Sequence, residues 1–305
     1  MRVLLWADME GMSGITDHRE CWPAFAQYWQ AGRRAFTAEV TAAATGLLDG
    51  GATGVFVVNA HGLGWPNILW DELPANVGPT DDAAWAEGFD VTFQVGFHAR
   101  AGTTGAFMSH TMVPGLKVSV DGALVTESHI WAWLVGRPLI GVTGEAGLAA
   151  QMDGIVRDVP FLTVKQSANR GEAVPVHADP ADGLAAIAEF ARTRAESPAP
   201  PLDLPDRFTL AVALDPSLAD AAEGQHGLTR TSPEVLTLEA EDWSREAQPA
   251  LEASMGASLQ PFFAAQSDLD LSSEKSMKLQ DRVELDRFRQ FFVDWASTDE
   301  PAWPT

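Results

Sequence analysis

The sequence predicts an α/β fold, a mainly parallel central sheet flanked by helices, with a smaller α+β part at the C-terminal end. Three observations carry this prediction. Short apolar runs alternate with helix-length stretches from Val3 to Arg194, the pattern of strand–helix–strand units. The runs are short and apolar and look like buried strands. A proline-dense segment, Glu196-Ser197-Pro198-Ala199-Pro200-Pro201, then separates this pattern from a shorter strand-and-helix region.

Taken in order, Val3 to Ala7 is the first strand, and it ends abruptly in Asp8-Met9-Glu10-Gly11. The stretch from about Pro23 to Leu48 opens on a proline suited to a first helical turn, is rich in Ala, Phe and Leu, and is stopped by Asp49-Gly50-Gly51. Gly54 to Asn59 and Val91 to Phe97 are the next strands. Val118-Ser119-Val120 and Ala123-Leu124-Val125 flank Asp121-Gly122, a strong hairpin signal. Glu127 to Val135 and Gly144 to Met152 read as short helices around the strand Leu139 to Val142. Phe161 to Val164 is a further strand, and Ala181 to Arg194 an Ala-rich amphipathic helix. The proline cluster reads as a linker, which gives an α/β domain over 1–200 and an α+β subdomain over 201–305; a rigid loop within one domain is the alternative. Beyond it lie the strands Phe208 to Leu214 and Glu234 to Glu239 and a final helix, Val283 to Trp295. The tail from Glu300 to Thr305 carries no pattern, and no internal repeat is visible.

Forty-two acidic residues against twenty basic ones give a formal charge of -22. This argues against nucleic acid and against an anionic membrane surface, both of which need clustered Lys and Arg. Cys21 is the single cysteine, which excludes an intrachain disulfide and a thiolate zinc cluster. The first apolar run is too short for a signal peptide, and none approaches the roughly 18 residues of a membrane helix. The expectation is a cytoplasmic protein.

Seven histidines are the main chemical resource. His61 and His98 each follow a strand, as Asp8 and Glu10 do, and in an open α/β sheet ligands collect outside the carboxyl ends of parallel strands. Asp8 and Glu10 point to the same side if the extended chain continues through them. Two carboxylates held that close require a proton on one or a cation between them. Imidazole nitrogen with carboxylate oxygen suits zinc, and two metals sharing a bridging carboxylate would take about five such ligands. Read singly, the acidic pair serves equally as a helix cap or solvated turn, and each histidine as a hydrogen-bonded structural residue. His110 stands in Met108-Ser109-His110-Thr111, soon after Gly102-Thr103-Thr104-Gly105. His18, His129, His177 and His226 read as surface or structural residues, and Cys21 beside Trp22 as packing. The eleven tryptophans read as core and subunit-contact residues. The pattern by itself gives no substrate.

At these residues the chain resembles the zinc-dependent D-aminopeptidases of the DppA type, a family that assembles into self-compartmentalising rings. The matching phrases are Asp8-Met9-Glu10-Gly11 with Ser13-Gly14, Ala60-His61, Gly96-Phe97-His98-Ala99, Met108-Ser109-His110, and Glu127 after the hairpin. Tyr28 with Gly32-Arg33 and Val164-Lys165-Gln166 also look like the family. The resemblance implies two zinc ions per subunit held by Asp8, Glu10, His61, His98 and Glu127, with His110 as the catalytic residue beside them. It implies release of an N-terminal D-residue from short peptides, and a homo-oligomer in the form of a decameric ring. A binuclear metallohydrolase acting on another amide or ester, and a metal-stabilised binding protein without turnover, are the alternatives. A phosphoester substrate would call on Arg100 or Lys165 to meet its charge. Two departures stand out: Asn59 where the family commonly has Asp, and Phe97 where it often has Tyr. Asn59 carries no charge with which to polarise His61, and Phe97 lacks a hydroxyl.

Overall fold

The computed structural model describes residues 1–62, 67–80, 88–152, 159–199, 202, 205–256 and 279–297, without the side chains of 279–284. They fall into two compact units. The first draws on Met1–Ala99, Gly105–Met108 and Ser128–Leu204, the second on Arg100–Thr104, Ser109–Glu127 and Pro205–Thr305.

In the first unit, β1 (Arg2–Ala7), β2 (Gly54–Asn59), β3 (Val77–Pro79), β4 (Val91–Phe97), β7 (Leu139–Glu145), β8 (Phe161–Asn169) and β9 (Glu172–Pro175) form one sheet. Its order is β3-β2-β1-β4-β7-β8-β9, parallel throughout except for the β8–β9 hairpin. Every residue of β4 and β7 is buried, as in strands covered on both faces. One cover is α2 (Glu127–Val135): its Ala132 and Val135 pack with Leu4, Trp6, Phe97, Leu139 and Val142. The other is the pair α1 (Ala26–Asp49) and α4 (Pro180–Glu196), which pack together, with Phe190 of α4 against Phe93 of β4 at 5.9 Å between ring centroids. Phe93 and Phe97 are four apart, yet one meets α4 and the other the α2 cluster. A register shift between Gln94 and Phe97 inverts the alternation, as a bulge does.

The helix expected over 144–152 is corrected here. β7 continues through Glu145, whose backbone pairs with Lys165 of β8, and only α3 (Ala146–Ala149) is helical before the chain turns. The proline at 23 does not open α1 either, which begins at Ala26.

The second unit holds an antiparallel sheet of order β11-β12-β10-β5-β6, from β5 (Lys117–Val120), β6 (Ala123–Leu124), β10 (Phe208–Ala213), β11 (Thr229–Ser232) and β12 (Val235–Ala240). Asp121 and Gly122 both have positive φ (49° and 80°), which the tight hairpin turn demands. The hairpin pairs with the C-terminal strands, Val120 opposite Leu210. The unit also holds α5 (Pro216–Ala222), a π turn at Trp243–Ala247 that continues into α6 (248–256), and α7 (Leu279–Ser297). Pro200, Pro201, the glycine and proline at 64 and 66, and the tail 298–305 lie outside the described residues. No described helix is long and apolar enough to cross a membrane.

Candidate metal centre

β1 lies between β2 and β4, where the strand order reverses, and the crevice at such a switch point is where open α/β sheets bind ligands. The chain leaves β1 through Asp8-Met9-Glu10-Gly11, and β4 leaves through Phe97-His98. These two exits touch backbone to backbone. Gly11 N–H donates to Gly96 O at 2.7 Å, and a Cβ built on Gly11 would lie 1.9 Å from Phe97 O. A Cβ on Gly96, whose φ is +77°, would lie 2.2 Å from Asp8 O. Both positions therefore require glycine, one for space and one for space and conformation.

This contact brings Asp8 and Glu10 beside His98, and β2, the other neighbour of β1, adds His61; all four are buried. Asp8 divides its oxygens between the two histidines. Oδ1 lies 3.8 Å from His61 Nδ1, and Oδ2 lies 3.2 Å from His98 Nε2. Glu10 Oε2 is 3.0 Å from His61 Nδ1. Potential ligand atoms of Asp8, Glu10 and His98 all lie within 4.8 Å of one another.

The tautomers follow from the far side of each ring. His61 Nε2 lies 2.9 Å from the Cys21 carbonyl and His98 Nδ1 lies 2.9 Å from the Ala99 carbonyl. A carbonyl only accepts, so each of these nitrogens carries the hydrogen. In the neutral rings the remaining nitrogens then turn lone pairs toward carboxylate oxygens. Only an added proton or a cation makes that arrangement attractive. The proton's effect is visible in the acidities. Burial alone would lower His61, but the charge and hydrogen bond of Glu10 raise it. Burial would likewise push Asp8 up, yet the hydrogen bond and charge of His98 and the charge of His61 hold it well below the usual carboxylate range. Burial wins at Glu10, with the Asp8 charge adding and His61 opposing, and raises it. Glu10 Oε1 is buried and accepts no hydrogen bond from a described residue, a costly state for a carboxylate oxygen without a cation. The donor set of imidazole nitrogen held by backbone carbonyls and carboxylate oxygen fits zinc.

The other two expected residues sit together in the second unit. His110 Nε2 is 3.6 Å from Glu127 Oε1, and the same oxygen accepts from Met112 N–H at 2.5 Å. The indole of Trp295, on α7, meets the His110 ring edge-on at 5.0 Å between centroids.

Two departures acquire a structural meaning. Asn59 Nδ2 donates to the His61 carbonyl at 3.0 Å, as Asn67 Nδ2 does. Asn59 thus holds the backbone of His61, while Cys21 O orients the ring. Phe97 is fully buried in the α2-facing core cluster. Lys165 is buried too, its Nζ donating to Ile15 O at 2.7 Å and lying 3.8 Å over the Phe107 ring. Burial pulls its pKa down against the nearby negative groups. An ammonium so committed is not offered to a phosphate. Burial also pushes the Cys21 thiol well up, which suits packing rather than nucleophilic attack.

The sequence reading missed Glu145, Trp295 and the Cys21 carbonyl. Glu145 ends a strand that the sequence pattern closes at Val142, and no local signal marks the other two.

Comparison with known proteins gives two matches. A family model described as D-aminopeptidase matches residues 1–251. The solved structure of the Zn-dependent D-aminopeptidase DppA from Bacillus subtilis, a self-compartmentalizing protease, shares the fold with a TM-score of 0.72 at 23% identity, over 85% of this chain and 98% of that one. No curated protein sequence matches.

Proposed function

The chain belongs to the D-aminopeptidase family, and from that premise we propose that it is a two-zinc aminopeptidase that releases N-terminal D-residues from short peptides. The observation that supports the two-metal reading is the placement of Asp8 between His61 and His98, with one oxygen on the side of each, so that Asp8 would be shared if two ions were held there. Asp8, Glu10, His61 and His98 are the proposed ligands from the first unit. Glu127 as fifth ligand and His110 as the proton-transfer residue follow from family membership. Bound zinc supplies a Lewis acid toward the scissile carbonyl and a water acidified to a pKa of about 7.

The chain's own groups supply the rest. The carbonyls of Cys21 and Ala99 keep His61 and His98 in the metal-binding tautomer and orientation. His110 carries a proton to the leaving amine or donates to the oxyanion, with its ring held by the edge of Trp295. The surplus of acidic residues favours a substrate bearing a free ammonium. We also propose a homo-oligomer, a decameric ring by family resemblance, which light scattering tests. A chain with one cysteine suits a reducing compartment such as the cytoplasm.

The deciding experiment joins elemental analysis to a panel of D- and L-aminoacyl amides and short peptides. Two zinc ions per chain and hydrolysis of the D-substrates are expected. Glu10→Ala and His98→Ala should lose metal and hydrolysis together, whereas His110→Ala should keep metal and lose about 10²- to 10⁴-fold in rate. Less than one zinc per chain after reconstitution would refute the two-metal reading, and cleavage of L-substrates alone would refute D-specificity.

A further inference from the structure

Glu145, the last residue of β7, is completely buried, and burying a carboxylate is costly unless its oxygens are satisfied. They are. Oε1 accepts from Ala99 N–H at 2.7 Å. Oε2 accepts from the Ser167 hydroxyl at 2.5 Å and from Phe107 N–H at 3.1 Å, the latter shared with Ser167 Oγ at 2.7 Å. The strand pairing slips between Gly144 and Glu145, which face Thr163 and Lys165 of β8. A bulge of this kind re-aims a side chain. Charge-assisted hydrogen bonds are roughly twice as strong as neutral ones, so one anion ties three chain segments into a single cluster.

Its first partner is the peptide joining His98 to Ala99. The next carbonyl, Ala99 O, takes the Nδ1 hydrogen of His98, which leaves Nε2 directed at Asp8 Oδ2. Its other partner, the Phe107 peptide, lies three residues before His110 in the chain. We propose that Glu145 is a positioning residue for the metal centre. It fixes the backbone turn that aims the His98 imidazole, and it braces the segment leading to His110. Glu145 touches neither the metal ligands' donor atoms nor the His110 ring in this role; it acts through main-chain amides. A glutamine there keeps the size but turns an amide donor toward a backbone N–H, so one of the two clamps is lost.

The role in metal binding rests on the reading of His98 as a ligand, and the test separates the two. Zinc titrations of the full-length protein are paired with hydrogen–deuterium exchange of peptides spanning 96–108. Glu145→Gln is expected to weaken zinc binding about 10- to 100-fold and to speed exchange in those peptides. Ser167→Ala removes one brace on the Phe107 side and leaves the Ala99 clamp intact, so zinc affinity should stay near the wild-type value while kcat falls and KM holds. A Glu145→Gln protein with wild-type zinc affinity and wild-type exchange overturns the proposal, even if its melting temperature drops, because the residue would then be structural only. If Glu145→Gln fails to fold, Glu145→Asp, charged but one methylene shorter, substitutes for it with the same two readouts and the same refuting result. If the wild-type protein takes up no zinc, the metal reading fails, and the exchange comparison alone still decides whether Glu145 holds the His98 turn.

Discussion

Gly11→Ala should disable the centre without touching a ligand. The added Cβ would lie 1.9 Å from the Phe97 carbonyl oxygen, where real Cβ contacts stay above 3.0 Å. The two backbones must therefore part by about 1.1 Å at least, judged from those two distances. Neither side can give cheaply, because the obstacle is main chain and Gly11 N–H is itself bonded to Gly96 O at 2.7 Å. Glu10 precedes the altered residue and His98 follows Phe97, so the displacement passes to the gap between carboxylates and imidazole, 3.2 Å at Asp8 Oδ2 and His98 Nε2. A misplacement of about 1 Å costs on the order of 10²-fold in rate, and overpacking costs about 1–3 kcal/mol in stability. The assay is zinc per chain by elemental analysis, kcat/KM on a D-aminoacyl amide, and urea unfolding, with Gly62→Ala alongside. A Cβ on Gly62 meets no atom of the described residues within 4 Å, so that variant should stay within about 0.5 kcal/mol of wild type. A Gly11→Ala protein with full zinc and unchanged kcat/KM would refute the argument that this backbone contact sets the ligand spacing.

Three further outcomes are expected. Burial holds the His18 pKa below its ordinary value, against the Asp17 charge, with Arg19 adding and Glu172 opposing. The unfolded chain therefore binds the extra proton first, and stability should fall as pH drops through 6.5 toward the folded value. The loss is about 1.4 kcal/mol per unit of separation between the two pKa values, and urea unfolding at stepped pH should show His18→Gln flattening it. Trp295→Ala should leave zinc content unchanged and cut kcat roughly two- to tenfold, the worth of a ring contact of about 0.5–1.5 kcal/mol, as steady-state kinetics would show. Chelation of zinc should lower the melting temperature, since a metal present at about 100 times its Kd stabilises by about 2.7 kcal/mol; scanning calorimetry with and without chelator checks this.

The strand ends were legible because the apolar runs stop sharply at chemistry-bearing residues: Ala7 before Asp8, Asn59 two residues before His61, Phe97 before His98. Continuous burial writes itself into composition, and the hairpin at Asp121-Gly122 into its turn residues. Glu145 was hidden by the ambiguity of short apolar segments, where periodicity cannot tell a buried strand from a helix. Gly144 to Met152 has helix-like composition, yet pairing with β8 keeps Glu145 extended. Cys21 is legible as a packing side chain, but its contribution to the site is a carbonyl, an atom that every residue possesses. Trp295 meets His110 across most of the chain length, beyond the residues that the family model matches. Nothing local announces such a contact. The edge strands β9 and β11 are short and largely exposed, so neither alternation nor an apolar run marks them.

The polarity of β1 has a practical side for anyone who would count metal ions in this protein. Its six residues span roughly 20 Å at about 3.3 Å each, and Met1 and Asp8 lie at opposite ends of them. A polyhistidine purification tag placed before Met1 therefore begins on the far rim of the sheet from the carboxylates. Its own imidazoles will still bind zinc, so the stoichiometry must be measured after the tag is cleaved. Removal of the tag leaves the ligand-bearing rim undisturbed.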